Sequence, residues 1–154
     1  MIRPPGRLLG VDYGTVRIGL SITDPDRILA SPLETYHCRT VAQDAAYLAN
    51  LVRVQGVTGI VLGIAVSLNG HEGPKAQECR AFGAWLEGAT GLPVQFSDER
   101  FTTALADDLM FDAKMTKPKR NERRDKLAAT LILKGFLEGG CEPYRPQPPG
   151  DQEV

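Results

Sequence analysis

Residues 59–64, Gly-Ile-Val-Leu-Gly-Ile, carry no polar side chain, and a strand of that composition is stable only with both faces covered. The run predicts a central, parallel strand. Three strand-like runs precede it: Arg7 to Tyr13, Ile18 to Thr23 and Leu33 to Cys38. Their connections, through Gly14-Thr15 and past Pro25-Asp26 and Pro32, are too short for helical crossovers, so the three predict an antiparallel set. Ala45, Leu48, Ala49 and Val52 recur at helical spacing and predict an amphipathic helix over Val41 to Val54. Gly73-Pro74 starts a second helix, running through Leu86, with proline at its favoured first position. Val94 to Ser97 predicts a fifth strand, Thr103 to Phe111 a short helix, and Arg124 to Leu137 a last helix closed by Gly139-Gly140.

This order predicts an α/β fold: a mixed five-stranded sheet, strand order 3-2-1-4-5, with helices on both faces, because right-handed crossovers stack strands four and five beside the first hairpin. Strands one and five then lie roughly 10 Å apart across strand four, and Gly63 leaves room between them. With 154 residues, 42% of them hydrophobic, the chain supports one core. Residues 1–139 are expected to form a single domain. Residues 140–154, rich in proline and poor in apolar side chains, are expected to form a loose tail. Cys38, Cys79 and Cys141 show neither disulfide nor zinc spacing. The N-terminus lacks the apolar stretch of a signal peptide and no run approaches the ~20 apolar residues of a membrane span, so a cytoplasmic location is expected.

Three acidic residues stand out against this frame. Asp12 interrupts the apolar run Leu8-Leu9-Gly10-Val11, where aspartate is disfavoured, and the period of two places it on one face with Leu8, Gly10 and Gly14. Glu99 follows the fifth strand. Asp125 shares a helical stripe with Ala128, Ala129, Ile132 and Phe136, so it aims at the sheet. Each has a structural alternative: a turn residue at Asp12, a helix start at Glu99, and a first-turn helix-dipole contact at Asp125. Together, carboxylates within ~4 Å repel by roughly 4 kcal/mol per pair at an effective dielectric of 20, which protonation or a cation must relieve. Oxygen-only ligation suits Mg²⁺ or Mn²⁺, and two such ions can serve phosphodiester hydrolysis. Asp12 is expected to bridge them, with Glu99 and Asp125 each completing one shell.

The net charge of -1 gives no bulk attraction for nucleic acid. Locally the picture differs. Residues 114–126 hold Lys114, Lys117, Lys119, Arg120, Arg123, Arg124 and Lys126 against Glu122 and Asp125, an excess of five positive charges. Basic side chains beside a phosphodiester site neutralise phosphates; a solvated loop between two helices is the alternative. Arg17 and Arg100 are further phosphate candidates, or partners that orient the carboxylates. His37 and His71 are isolated, and Phe82 and Trp85 fit the core stripe of their helix better than a base-stacking platform.

Gly10-Val11-Asp12-Tyr13-Gly14 with Arg17-Ile18-Gly19, then Ser97-Asp98-Glu99-Arg100-Phe101-Thr102-Thr103, then Arg124-Asp125-Lys126-Leu127-Ala128-Ala129, together resemble the YqgF/RuvX family of ribonuclease H-like nucleases over residues 7–138. The resemblance implies a ribonuclease H-like fold, divalent-metal dependence, an acidic triad of Asp12, Glu99 and Asp125, and activity of the Holliday junction resolvase or pre-16S rRNA processing type. The implied partner is nucleic acid: a DNA junction, single-stranded DNA or precursor rRNA. No membrane partner is expected, and the protein is expected to be a monomer or homodimer. Where the family shows Gly-Leu-Pro and later Asp-Gly, this chain has Gly63-Ile64-Ala65 and Asn69-Gly70, which concerns the substrate-side loop. Two other functions fit parts of the pattern. A non-catalytic nucleic-acid-binding or ribosome-assembly module would use the basic segment alone. An actin-like phosphotransferase or ATPase would use Asp12-Tyr13-Gly14-Thr15 as a phosphate loop, but proteins of that kind enclose nucleotide between two such domains.

Overall fold

The computed structural model describes residues 5–67, 70–98 and 116–145. Five strands form one sheet: β1 (Arg7–Asp12), β2 (Arg17–Thr23), β3 (Ala30–His37), β4 (Val57–Ile64) and β5 (Val94–Asp98), in the order β3-β2-β1-β4-β5. β1 pairs antiparallel with β2 and parallel with β4, and β4 pairs parallel with β5. The sheet is therefore mixed, as the short early connections and the apolar run at 59–64 require.

β3 begins at Ala30, three residues before the expected Leu33, and runs through Pro32. Proline donates no amide hydrogen, and an edge strand tolerates that loss. The pairing of β2 with β3 shifts register between Leu20 and Ser21, where Ser21 faces Pro32.

Helices α1 (Val41–Gln55) and α2 (Pro74–Thr90) cover one face of the sheet. Leu48 and Val52 of α1 and Leu86 of α2 bury against Leu9, Val11, Ile60 and Leu62. Thr40 caps α1 by accepting from the Gln43 amide, while the Gln43 side chain returns to the Thr40 amide, which satisfies two otherwise orphaned donors.

The last helix, α3 (Lys117–Glu138), covers the other face. Ile132, Leu133 and Phe136 pack on Leu8 of β1 and Val61 of β4. Alternation along β1 thus sends Leu9 and Val11 to one core and Leu8, Gly10 and Asp12 toward α3. The expected short helix over Thr103 to Phe111 lies outside the described residues.

α3 starts seven residues before the expected Arg124. The onset of apolar spacing marks Arg124, but Pro118 in the first turn and a run of good helix formers extend the helix into the basic segment. Asp125 is then the ninth residue of α3, in its third turn. A first-turn dipole contact, which fades beyond one turn, does not account for it.

Candidate active site

β1, β4 and β5 run parallel, so their carboxyl ends share one edge of the sheet. Between β1 and β4 the chain changes the direction in which it adds strands, and ligands of open α/β sheets gather beyond such a point. Asp12 is the last residue of β1. It stands beside Gly19 of β2 in the antiparallel ladder.

Gly19 also determines where α3 can lie. A Cβ built on Gly19 would fall on the backbone carbonyl of Asp125. Backbone atoms cannot swing aside, so the helix approaches this close only over glycine. One turn further on, a Cβ on Gly10 would strike Ser21 Oγ, Leu133 and the Ala129 carbonyl. Ser21 Oγ donates to that same Ala129 carbonyl at 2.7 Å. These contacts seat α3 against β1 and β2 with Asp125 above Gly19, next to the residue opposite Asp12.

Asp125 is held in place by Arg17, the first residue of β2. Arg17 Nε donates to Asp125 Oδ2 at 2.7 Å, with the two side chains 27% and 14% exposed. The sequence allowed Arg17 to orient a carboxylate, and this is the contact it makes. Asp12, Asp125 and Arg17, with the turn Tyr13-Gly14-Thr15-Val16, line a single cleft of about 250 Å³. Glu99 and Arg100 lie outside the described residues, one and two positions beyond the end of β5.

The donors that Asp12 and Asp125 offer are carboxylate oxygens, the hard ligands that Mg²⁺ and Mn²⁺ take. Among the described residues no group of three His, Cys, Asp or Glu side chains that could hold a metal is found. The described part of the cleft therefore holds two of the three expected carboxylates.

The basic residues are part of α3. Lys117, Lys119, Arg123 and Arg124 are exposed along its first half, and Arg120 is half-buried. The Arg120 Nε is buried without a hydrogen-bond partner among the described residues. Sequence analysis missed the contacts that dock this half of the helix on the edge strand: Thr35 Oγ1 donates to the Glu122 carbonyl, and His37 Nε2 lies 2.8 Å from Glu122 Oε1. Nothing local marks these pairs, since the partners lie 87 and 85 residues apart.

The model of the RuvX family, described as Holliday junction resolvase, matches residues 6–139. The chain belongs to this family. Among RuvX relatives, a Rhodopirellula baltica protein named "Putative pre-16S rRNA nuclease" is 46% identical over 133 residues, covering 86% of this chain and 77% of its own length. A Moorella thermoacetica protein of the same name is 41% identical over 132 residues, covering 86% of this chain and 94% of its own length. The structure of T. thermophilus RuvC in complex with Holliday junction substrate matches with a TM-score of 0.54 at 15% identity, covering 90% of this chain and 99% of that one. This RuvX chain thus has the ribonuclease H-like fold.

Proposed function

We propose that the protein is a divalent-metal-dependent nuclease that hydrolyses phosphodiester bonds in structured nucleic acid. The observation that carries this reading is the convergence of Asp12 and Asp125, from opposite ends of the chain, on one cleft at the carboxyl edge of the sheet. Family membership and relatives named for pre-16S rRNA favour precursor rRNA as substrate; the family's description makes a four-way DNA junction the competing one. An rRNA substrate would place the protein in the cytoplasm.

In this reading Asp12, Asp125 and Glu99 are the residues that would hold Mg²⁺ or Mn²⁺, as a two-metal mechanism requires. Glu99 follows directly in sequence on Asp98, the last residue of β5. When bound, the ions supply an activated water and stabilise the charge that develops on the attacking and leaving oxygens. Arg17 holds Oδ2 of Asp125, and Asp125 lines the cleft. The α3 side chains Lys117, Lys119, Arg120, Arg123 and Arg124, together with Arg100, bind the phosphate backbone.

The test compares cleavage of precursor 16S rRNA, a four-way DNA junction and single-stranded DNA, with Mn²⁺ and with chelator, by the parent protein and Asp12→Asn. Cleavage of one substrate that requires the metal and falls at least about 100-fold in Asp12→Asn is expected, since a bridging ligand acts on both ions. Undiminished metal-dependent cleavage by Asp12→Asn would remove the assignment. Binding of nucleic acid that is indifferent to Asp12 and to metal, without cleavage of any substrate, would instead identify a non-catalytic binding module.

A further inference from the structure

A second cavity, of about 400 Å³, adjoins the carboxylate cleft. The two share Tyr13, Gly14 and Thr15 as a common wall, one cavity on the α3 side of the sheet and the other on the side of α1 and α2. Its size lies in the range of small-ligand sites.

The lining combines aromatic rings with a buried carboxylate. Tyr13 stacks on Phe82 with ring centroids 4.4 Å apart, and Phe82 stacks on Trp85 at 5.4 Å. All three rings line the cavity as well as packing against the core, so the core stripe expected for Phe82 and Trp85 is only part of their placement. Asp44 is buried in the wall, where its Oδ1 accepts from the Tyr36 hydroxyl at 2.6 Å and from the Arg39 amide at 2.9 Å. At the mouth, Val41 is 71% exposed beside the exposed Arg39, and Val16, on the neighbouring turn, is 65% exposed. Apolar side chains left this open beside an aromatic cavity are what a flat, partly apolar ligand would cover.

We propose that this cavity receives an unpaired nucleobase of the substrate strand, turned out beside the phosphodiester bound at Asp12 and Asp125. The inference rests on the nuclease reading above and adds a substrate requirement to it. Aromatic rings accept the π-face of any base, so the site selects unpaired nucleotides rather than a sequence. The Asp44 carboxylate accepts from the N–H edge of the base, and Arg39 at the rim meets a flanking phosphate. Because the cavity and the cleft share the Tyr13-Gly14-Thr15 turn as their wall, one nucleotide would place its base on one side of it and its phosphate on the other. A base already unstacked enters at least cost, which favours junctions, loops and single-stranded ends over continuous duplex.

Trp85 is the only tryptophan of the chain, so its emission reports on the cavity directly. The experiment uses the full chain with chelator, so that nothing is cleaved, and three probes: a short single-stranded DNA, the matching RNA, and an abasic sugar-phosphate chain of the same length. Binding is followed by anisotropy of a terminal dye, and Trp85 emission is followed with unlabelled probe. The base-bearing strands are expected to quench Trp85 and to bind about 5-fold or more tightly than the abasic chain, the loss expected for one stacked base. The abasic chain is expected to bind through charge and leave the emission unchanged. Val41→Glu, at an exposed position, should abolish the quench and bring the ratio of the two affinities toward one; using the ratio cancels the general repulsion of the new charge. Equal quenching by both chains, or binding of base-bearing strands with no Trp85 response and an unaltered ratio in Val41→Glu, overturns the base site and leaves the nuclease reading intact. Failure of every probe to bind also overturns the base site, while the nuclease reading is decided separately by the cleavage test with Mn²⁺.

Discussion

Arg17 Nε lies 2.7 Å from Asp125 Oδ2, joining the first residue of β2 to the third turn of α3 across 108 residues of sequence. Asp125 is thereby fixed in rotamer, with one oxygen committed to the guanidinium. Arg17→Ala is expected to lower metal-dependent cleavage about 10- to 100-fold, the usual cost of losing a partner that orients a ligand. The accompanying stability loss should be about 1 kcal/mol, because the pair is partly solvent-screened. Arg17→Lys should restore most of the stability but less of the activity, since a flexible ammonium does not reproduce the directed Nε–H bond to Oδ2. Thermal melts and steady-state kinetics on the three proteins separate the two effects.

Gly19 admits the α3 backbone beside Asp12 and has no room for a side chain. Gly19→Ala must push α3 away from β2, at about 1–3 kcal/mol of overpacking strain. A displacement near 1 Å at Asp125 should cost cleavage on the order of 100-fold. Activity should therefore fall much further than the melting temperature, and activity retained in a protein of unaltered stability would contradict the packing described for this site.

The exposed cations of α3 make a prediction about salt. Binding of a duplex-containing substrate should weaken linearly with the logarithm of salt concentration. Each of Lys117→Ala, Lys119→Ala, Arg123→Ala and Arg124→Ala that removes a phosphate contact should reduce the slope by about 1. A slope unchanged in all four would move the phosphate path off this helix.

Away from the cleft, Glu72 accepts from Arg80 Nε at 2.7 Å and from a second Arg80 nitrogen at 2.8 Å, and Tyr144 donates its hydroxyl to Glu72 at 2.9 Å. The Tyr144 amide also reaches the Phe96 carbonyl, which ties the residues after α3 back to β5. The Arg80 hydrogen bonds hold the Glu72 carboxyl below its ordinary value of 4.5, against the opposing effect of burial. A carboxyl lowered by folding contributes stability that is present above its ordinary pKa and is lost as pH falls through the lowered one. The melting temperature of the parent should therefore exceed that of Glu72→Gln at neutral pH, by the equivalent of about 1 kcal/mol. That gap should close as the pH drops below about 4.5. A gap independent of pH would assign the loss to packing instead.

The sequence by itself determined the sheet order, the face each strand residue takes and the family. Strand alternation and helical spacing are local periodicities, and they sufficed to place Asp12 with Leu8 and Gly10, and Asp125 on the stripe of Ala128, Ala129, Ile132 and Phe136, now buried against the sheet. Only the tertiary structure decided how far α3 extends, that Asp125 sits over Gly19 rather than in a first turn, that Arg17 grips it, and that Tyr13, Phe82 and Trp85 line a cavity while packing against the core. Those facts depend on contacts between residues far apart in the chain, where the energy lies in close packing and in paired polar groups. No local pattern of residue types encodes a distance between two such elements.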